Sequence, residues 1–426
     1  MAKWCYSYVQ VRSSGKRSRE VYTDTLCNIA KKFKSTEQQA ALIAEFPSYD
    51  DVRIQLSRHR AVRCTPVPDP LNIPDSLRVT LRGREALDSD PNKNEQFLLY
   101  SGQGGRLLVF CAGTELATVH QSEYLVCDGT FEMTPQSSYQ LYTIHGYLCG
   151  EGLPLTYAIM PNKTTDTYVE MFTALRSAVV AAYGDVGSVR YVLMDFELAA
   201  INAVRQVFPE VSVKGCTFHF RQAIMRRIKQ VGLQQAYDSE TTFPELRRWM
   251  RYIMSLCLLP AFAIPLVWEV LEVPPVSSPE LDAKAKTLAE YFRTTWIAGD
   301  FPPCMWSHFD HCGPRTTNLA EGFHNSLNSR FGMPHPSMRT FLDWLQKGQY
   351  ETQCREMQLN AGRPPKQRVA SYVKNDAEIA ATKFKYSMDI GRLFAYSFPQ
   401  ADSWQRFYNM SLEFLARVSH LIGLGV

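Results

Sequence analysis

The sequence predicts an α/β fold: a mixed sheet covered by helices, interrupted by an all-helical insertion and followed by a helical C-terminal region. Three observations predict it. Short runs rich in β-branched and aromatic residues follow one another from Gln96 to Met160, with turn signals between them. From Thr165 strands alternate with helices. After Leu233 the pattern stays helical for roughly ninety residues, apart from a loop at VPPVSSPE.

Composition sets the frame for those elements. A chain of 426 residues is long enough for about two to three domains. Apolar residues at 45% and charged residues at 21% exclude a disordered or fibrous chain. The net charge of +4 does not by itself argue for a polyanionic partner, but its distribution is uneven. Eight Lys or Arg stand against Glu20 and Asp24 from Met1 to Lys34, and eight against Asp238, Glu240 and Glu245 from Lys214 to Arg251. Either stretch could face a polyanion or be a solvated surface. Eleven cysteines without short regular spacing suit reduced thiols in the cytosol or nucleus, and no signal peptide is visible from Met1 to Gln10. The run Ile253 to Trp268 is uncharged, but it is shorter than the ~20 residues a spanning helix needs and is broken by Pro260 and Pro265. It reads as buried helix and turn, so no membrane partner is expected.

In chain order, residues 1–75 form a basic region with a helix near Thr36 to Glu45 and a Pro-rich connector from Cys64 to Asp75. Its four prolines deny the backbone amides that a helix or central strand requires. Cys5, Cys27, His59 and Cys64 contain no tight pair and make a weak zinc site. Residues 76–235 carry the sheet. The runs FLLYSG and RLLVFCAG open it, and Tyr124 to Phe131, Tyr139 to Cys149 and Leu153 to Met160 follow as antiparallel neighbours. Thr165 to Gly184 places Tyr168, Met171, Leu175, Ala178, Val179 and Ala182 on one helical stripe. Val189 to Asp195 reads as a buried strand, Leu198 to Phe208 as a helix, Val211 to Phe220 as a strand and Arg221 to Leu233 as a helix. The resulting order, βββαβαβα, is the connectivity of a ribonuclease H-like fold. Residues 236–312 are the helical insertion, 313–336 a core helix and 337–426 the helical C-terminal region.

Two strand runs end alike: YLVC leads to Asp128 and YVLM to Asp195. A carboxylate closing a buried strand is costly unless it is solvated, paired or bound to a cation, and ligands of open α/β sheets bind at strand ends. If the two strands are adjacent, the carboxylates converge and offer oxygen ligands to a hard cation such as Mg²⁺. The alternative is a capping acid at each turn. In NLAEGFHNSLNSRF, Ala320, Phe323, Leu327 and Phe331 form an apolar stripe, leaving Glu321, His324, Asn325 and Asn328 on an adjoining polar side. That side could complete a metal site or be a solvated face.

The blocks YLVCDGTFEMTP, QLYTIHGY, GLPLTYAIMPNKTTDTY, VLMDFELAA, GCTFHFRQA and TTNLAEGFHNSLNSRF, in this order, resemble the MULE (Mutator-like element) transposases of the DDE superfamily, over about Arg78 to Asn360. The resemblance implies a catalytic, metal-binding triad of Asp128, Asp195 and Glu321 on a ribonuclease H-like core. It also implies two Mg²⁺ or Mn²⁺ ions ~3.5 to 4 Å apart, driving cleavage at transposon terminal inverted repeats and strand transfer to target DNA. Cys216 and His219 match the family's Cys-x-x-His motif, at the end of the expected last strand, with Asn318 and His324 as further motif residues. The motif could supply half a zinc site, with Cys304, His308, His311 and Cys312 near in sequence; the preferred reading has Cys216 pack and His219 orient a group or contact DNA. Lys214, Arg221, Arg226, Arg227 and Lys229 would neutralise phosphates. The family implies a nuclear homo-oligomer. Thr317 stands where relatives commonly show Asn, and RHR at Arg58 to Arg60 stands where relatives often end a FLYWCH-type zinc finger. Those departures suit an alternative: a domesticated, non-catalytic DNA-binding or chromatin-associated protein.

Overall fold

The β-branched and aromatic runs between Leu98 and Met160, separated by turns, build antiparallel strands, and the βα alternation after Thr165 adds parallel ones. In the computed structural model, residues 73–83, 95–132, 134–135, 138–276, 278–331, 335–395 and 401–422 are described. The chain divides into two units, residues 1–72 with Ser337–Phe341, and residues 73–336 with 342–426. All that follows concerns the second, apart from residues 338–341, which open one of its helices. The expected helix near Thr36, the connector up to Asn72 and the group Cys5, Cys27, His59 and Cys64 lie outside the described residues.

Seven strands form one mixed sheet: β1 (Leu98–Gly102), β2 (Leu107–Phe110), β3 (Tyr124–Thr130), β4 (Gln140–Leu148), β5 (Glu151–Met160), β6 (Tyr191–Met194) and β7 (Ser212–Gly215), in the order β1-β2-β5-β4-β3-β6-β7. β3, β4, β5, β2 and β1 pair antiparallel, whereas β3, β6 and β7 run parallel. The β4–β5 hairpin turns through Cys149 and Gly150, both at positive φ (51° and 82°), the two-residue turn whose twist matches that of the strands it joins.

Helices α1 (Gly113–Gln121), α2 (Thr165–Tyr183) and α3 (Leu198–Val207) cover one face. On α2 the buried stripe is Tyr168, Met171, Phe172, Leu175 and Val179, and Gly184 closes the helix at φ 91°. Ala182, expected on this stripe, is exposed, because the buried stripe ends at Val179 in the last turns of the helix; Phe172, not expected on it, is buried. The sequence pattern does not single out α1: GTELATVHQ carries β-branched residues and no obvious cap, and Glu115 satisfies the Ala112 amide from inside the first turn.

One expected element is corrected. The strand expected over Val211 to Phe220 ends at Gly215, and helix α4 occupies Thr217–Gln230. VSVKGCTFHF is rich in β-forming residues, but Phe220, Ile224 and Ile228 recur at helical spacing and are fully buried among helices. The burial they gain as a helical stripe outweighs local strand propensity. Cys216 and His219 therefore sit at a helix start, not at a strand end.

Beyond α4 the chain is helical: α5 (Pro244–Ser255), α6 (Ala263–Leu271), α7 (Pro279–Phe292), α8 (Asn318–Phe331), α9 (Met338–Asn360), α10 (Ala370–Ala395) and α11 (Ala401–Leu421). A second apolar cluster joins α4 to α7, α10 and α11, centred on Phe220, which stacks on Trp306 with ring centroids 4.7 Å apart. α8 returns to the sheet and contacts β3, β4 and β5. Among the described residues no helix is long and apolar enough to cross a membrane.

Candidate functional site

Because β3, β6 and β7 are parallel neighbours, Asp128, Asp195 and Cys216 come side by side: Asp195 and Cys216 just follow β6 and β7, whereas Asp128, expected to close its strand, lies inside β3, whose pairing with β4 carries it on to Thr130. The register pairs Val126 with Leu193 and Met194 with Gly215. Two residues further along, Asp195 follows β6 at the level of Asp128. Alternation fixes the face: Cys127 packs among α1 to α3, so Asp128 points the other way, toward α8. This is the end of an open α/β sheet at which ligands bind.

A polar chain holds Asp128. His324 Nδ1 stands 3.4 Å from Asp128 Oδ2, and its Nε2 is 3.0 Å from Thr143 Oγ1, which is 3.1 Å from His145 Nε2. Burial and the nearby His324 push His145 down to about 3, so it is neutral. His324 is buried, at 7% exposure, rather than on the polar side of α8, because it reaches inward to Asp128 and Thr143. Its neighbour Phe323 is half-buried and packs on His145, Tyr157 and Trp344.

Asp195 Oδ1 accepts the Glu197 amide at 3.2 Å. Burial raises its carboxyl above the usual range; His219 opposes this, and the Asp128 carboxylate adds to it. Burial and Asp195 likewise raise Glu197. The site thus gathers desolvated carboxyls that repel one another.

His219 lies in the first turn of α4. Burial would lower it, but Cys216, Asp195 and Asp128 outweigh that and hold it protonated, at about 9. Its Nε2 is 3.9 Å from Glu321 Oε1 on α8. Cys216 is fully buried, and the Thr317 amide and hydroxyl both donate to its Sγ, at 3.3 and 3.5 Å. The Thr217 amide donates to Arg315 O at 2.8 Å. These bonds fasten the start of α4 to the start of α8, where Asn318 is exposed. Thr317, the residue that departs from the family pattern, thus has a structural task here.

The chemistry of Asp128 and Asp195, two oxygen donors with one desolvated and each repelling the other, fits a hard divalent cation. Glu321 is held instead beside His219. Among the described residues no group of three or more His, Cys, Asp or Glu is gathered closely enough to hold a metal ion. That includes the zinc candidates. His308 Nε2 donates to Gly215 O at 2.8 Å and its Nδ1 meets His311 Nδ1 at 3.5 Å; burial lowers both imidazoles, to about 3 and about 4, while Cys304 and Cys312 are exposed.

The basic residues separate. Lys214 Nζ donates to Cys304 O and Ser307 O, both at 3.0 Å, which removes it from the set free to meet a phosphate. Arg227 lies over the Tyr291 ring, 5.3 Å from its centroid, and Arg221 is half-buried. Arg226 and Lys229 are exposed on one face of α4.

Sequence reasoning misses one feature. Phe131, just past β3, and Tyr139, just before β4, are each 46% exposed and meet edge to face at 5.5 Å. Lys163 Nζ stands 5.9 Å over the Phe131 ring, and its charge also acts on Asp195 and Glu197. In the sequence both aromatics look like ordinary strand residues. Their position flanking the Asp128 strand is legible there, but their exposure is not.

Residues 124–223 match the MULE transposase domain, a span running from the start of β3 into α4. It includes Asp128, Asp195, Cys216 and His219, while Glu321 and His324 lie beyond it. No curated protein matches the chain.

Proposed function

From a chain that carries a domain of the MULE transposase family, we propose a DDE-type transposase that performs metal-dependent DNA cleavage and strand transfer on a ribonuclease H-like core. The observation that carries this reading is the pair Asp128 and Asp195, at the same level on adjacent parallel strands, inside the matched domain. The central position of β3, with antiparallel strands to one side and parallel strands to the other, supports the ribonuclease H-like assignment.

Asp128 and Asp195 would hold Mg²⁺ or Mn²⁺, with Glu321 as the third carboxylate. The bound cations would activate an attacking oxygen and stabilise the leaving one in phosphodiester chemistry. The chain's own residues do the rest. His324, braced by Thr143, holds Asp128 in place. The protonated His219 holds Glu321 and offsets the negative charge of both aspartates. Phe131 and Tyr139 offer rings on which unpaired bases stack, with Lys163 beside them for a phosphate. Arg226 and Lys229 meet the DNA backbone further along α4. The working protein is, on this reading, a nuclear homo-oligomer acting on terminal inverted repeats and target DNA.

The test is nicking and strand joining, in Mg²⁺ or Mn²⁺, of a plasmid carrying the DNA that flanks the gene. Metal-dependent products from the wild type, lost in Asp195→Asn, are expected. A second reading, a non-catalytic DNA-binding protein on the same scaffold, is favoured by Glu321 standing with His219 rather than grouped with the aspartates. Equal DNA binding by both proteins without products from either would select it.

A further inference from the structure

Away from the carboxylates, α5, the turn before it and α11 line an open cavity of about 330 Å³. None of its lining residues takes part in the site around Asp128. Arg247, Arg248 and Arg251 enter it from successive turns of α5, and His420 from the last turn of α11. Glu240 is the one acid in its lining, and it is already committed: its Oε1 accepts from Arg247 Nη2 at 2.9 Å, while Arg247 Nε donates to Tyr237 O at 3.0 Å.

That leaves Arg248 facing the cavity without a carboxylate, while Arg251 feels Glu240 only as a charge that Arg247 already binds. Arg251 is only 6% exposed, and its buried Nε has no hydrogen-bond partner. Its guanidinium lies 5.9 Å from the Tyr237 ring centroid. A buried guanidinium with an unpaired donor is costly, and the group that offsets the cost is an anion able to accept several N–H bonds at once. Burial first and then the nearby Arg247 act against its charge and outweigh the support of Tyr237 and Glu240, a deficit that an anion in the cavity would relieve. The volume is at the small end of ligand cavities, room for one phosphate with an attached sugar or base rather than for a folded segment.

We propose that this cavity is a phosphate site, formed by Arg248 and Arg251 with His420 at its edge, that takes a backbone phosphate of a nucleic-acid strand. A free nucleotide or inorganic phosphate presents the same chemistry, so the source has to be separated by experiment.

The full chain is titrated with a labelled single-stranded oligonucleotide over a range of salt in EDTA, which makes the outcome independent of the carboxylate chemistry, and its melting is followed with and without inorganic phosphate. Arg251→Gln removes the buried donor; Arg248→Gln, at an exposed position, tests the same cavity should the first variant fold poorly. The proposal expects phosphate to raise the melting temperature of the wild type and not of the variants. It also expects the variants to bind the strand about tenfold more weakly, with a salt slope shallower by about 0.7 for each phosphate that is no longer neutralised. Protection by phosphate with unchanged strand affinity overturns the strand as ligand in favour of a free phosphate. Absence of both effects in either folded variant overturns the site.

Discussion

At the scale of single residues, the chemistry rests on charges that the fold keeps against their preference. Asp195 is desolvated beside Asp128, so the folded state favours its protonated form more than the unfolded chain does. Such a group destabilises the fold as pH rises above the ordinary carboxylate range, and Asp195→Asn, which removes the charge and nearly keeps the shape, should raise the melting temperature at neutral pH in metal-free buffer. Differential scanning fluorimetry checks this; a lower melting temperature would mean that the carboxylate is paired more fully than its neighbours indicate. Cys216→Ala should act the other way. It leaves the buried Thr317 amide and hydroxyl without an acceptor, at about 1–3 kcal/mol in urea unfolding. The two aspartates are legible in the sequence because each closes an apolar strand run. The inward turn of His324 is not, because helical spacing ranks faces by polarity and cannot show that a histidine has a partner across the interface.

At the scale of elements, α4 links the carboxylate site to the helical cluster. Its first turn carries His219, and its buried stripe, Phe220, Ile224 and Ile228, packs among α5 to α7. Phe220 touches Trp296, Trp306 and Phe292, so Phe220→Ala should cost about 3–5 kcal/mol. Near-ultraviolet circular dichroism in a denaturant series reads that loss; a cost below about 1 kcal/mol would contradict close packing around the ring. The same helix shows where the sequence misleads. Its first four residues belong to a run of β-forming composition, and only the spacing from Phe220 to Ile228 betrays the helix. The strands β3 to β6, by contrast, are legible to within about two residues, since β-branched and aromatic runs and turn residues agree there. α1 escapes because the side chain that completes its first turn, Glu115, looks like an ordinary surface acid.

At the scale of the molecule, the stability of the fold should depend on pH through that same Glu115. Burial pushes its carboxyl up to about 7, with Gln349 opposing and Glu356 adding to the rise, and burial raises Glu356 too. A carboxyl whose folded value lies above its unfolded one costs nothing at acid pH, and its penalty grows as pH rises from about 4.5 to about 7. At ~1.36 kcal/mol per unit the loss is about 3 kcal/mol. Glu115→Gln should therefore be more stable than the wild type near pH ~8 and no more stable near pH ~4, as urea midpoints would show.

Beyond stability, the molecule sets a site of paired carboxylates at the end of a mixed sheet beside α4, on which Arg226 and Lys229 are exposed. The pairing of Asp128 with Asp195 is the claim on which the proposed chemistry depends. Its most direct test is Mn²⁺ binding to the full chain, followed by electron paramagnetic resonance, for the wild type, Asp128→Asn and Asp195→Asn. Tight binding by the wild type, weakened at least about tenfold by either substitution, is the predicted result. Wild-type affinity in both variants would contradict it.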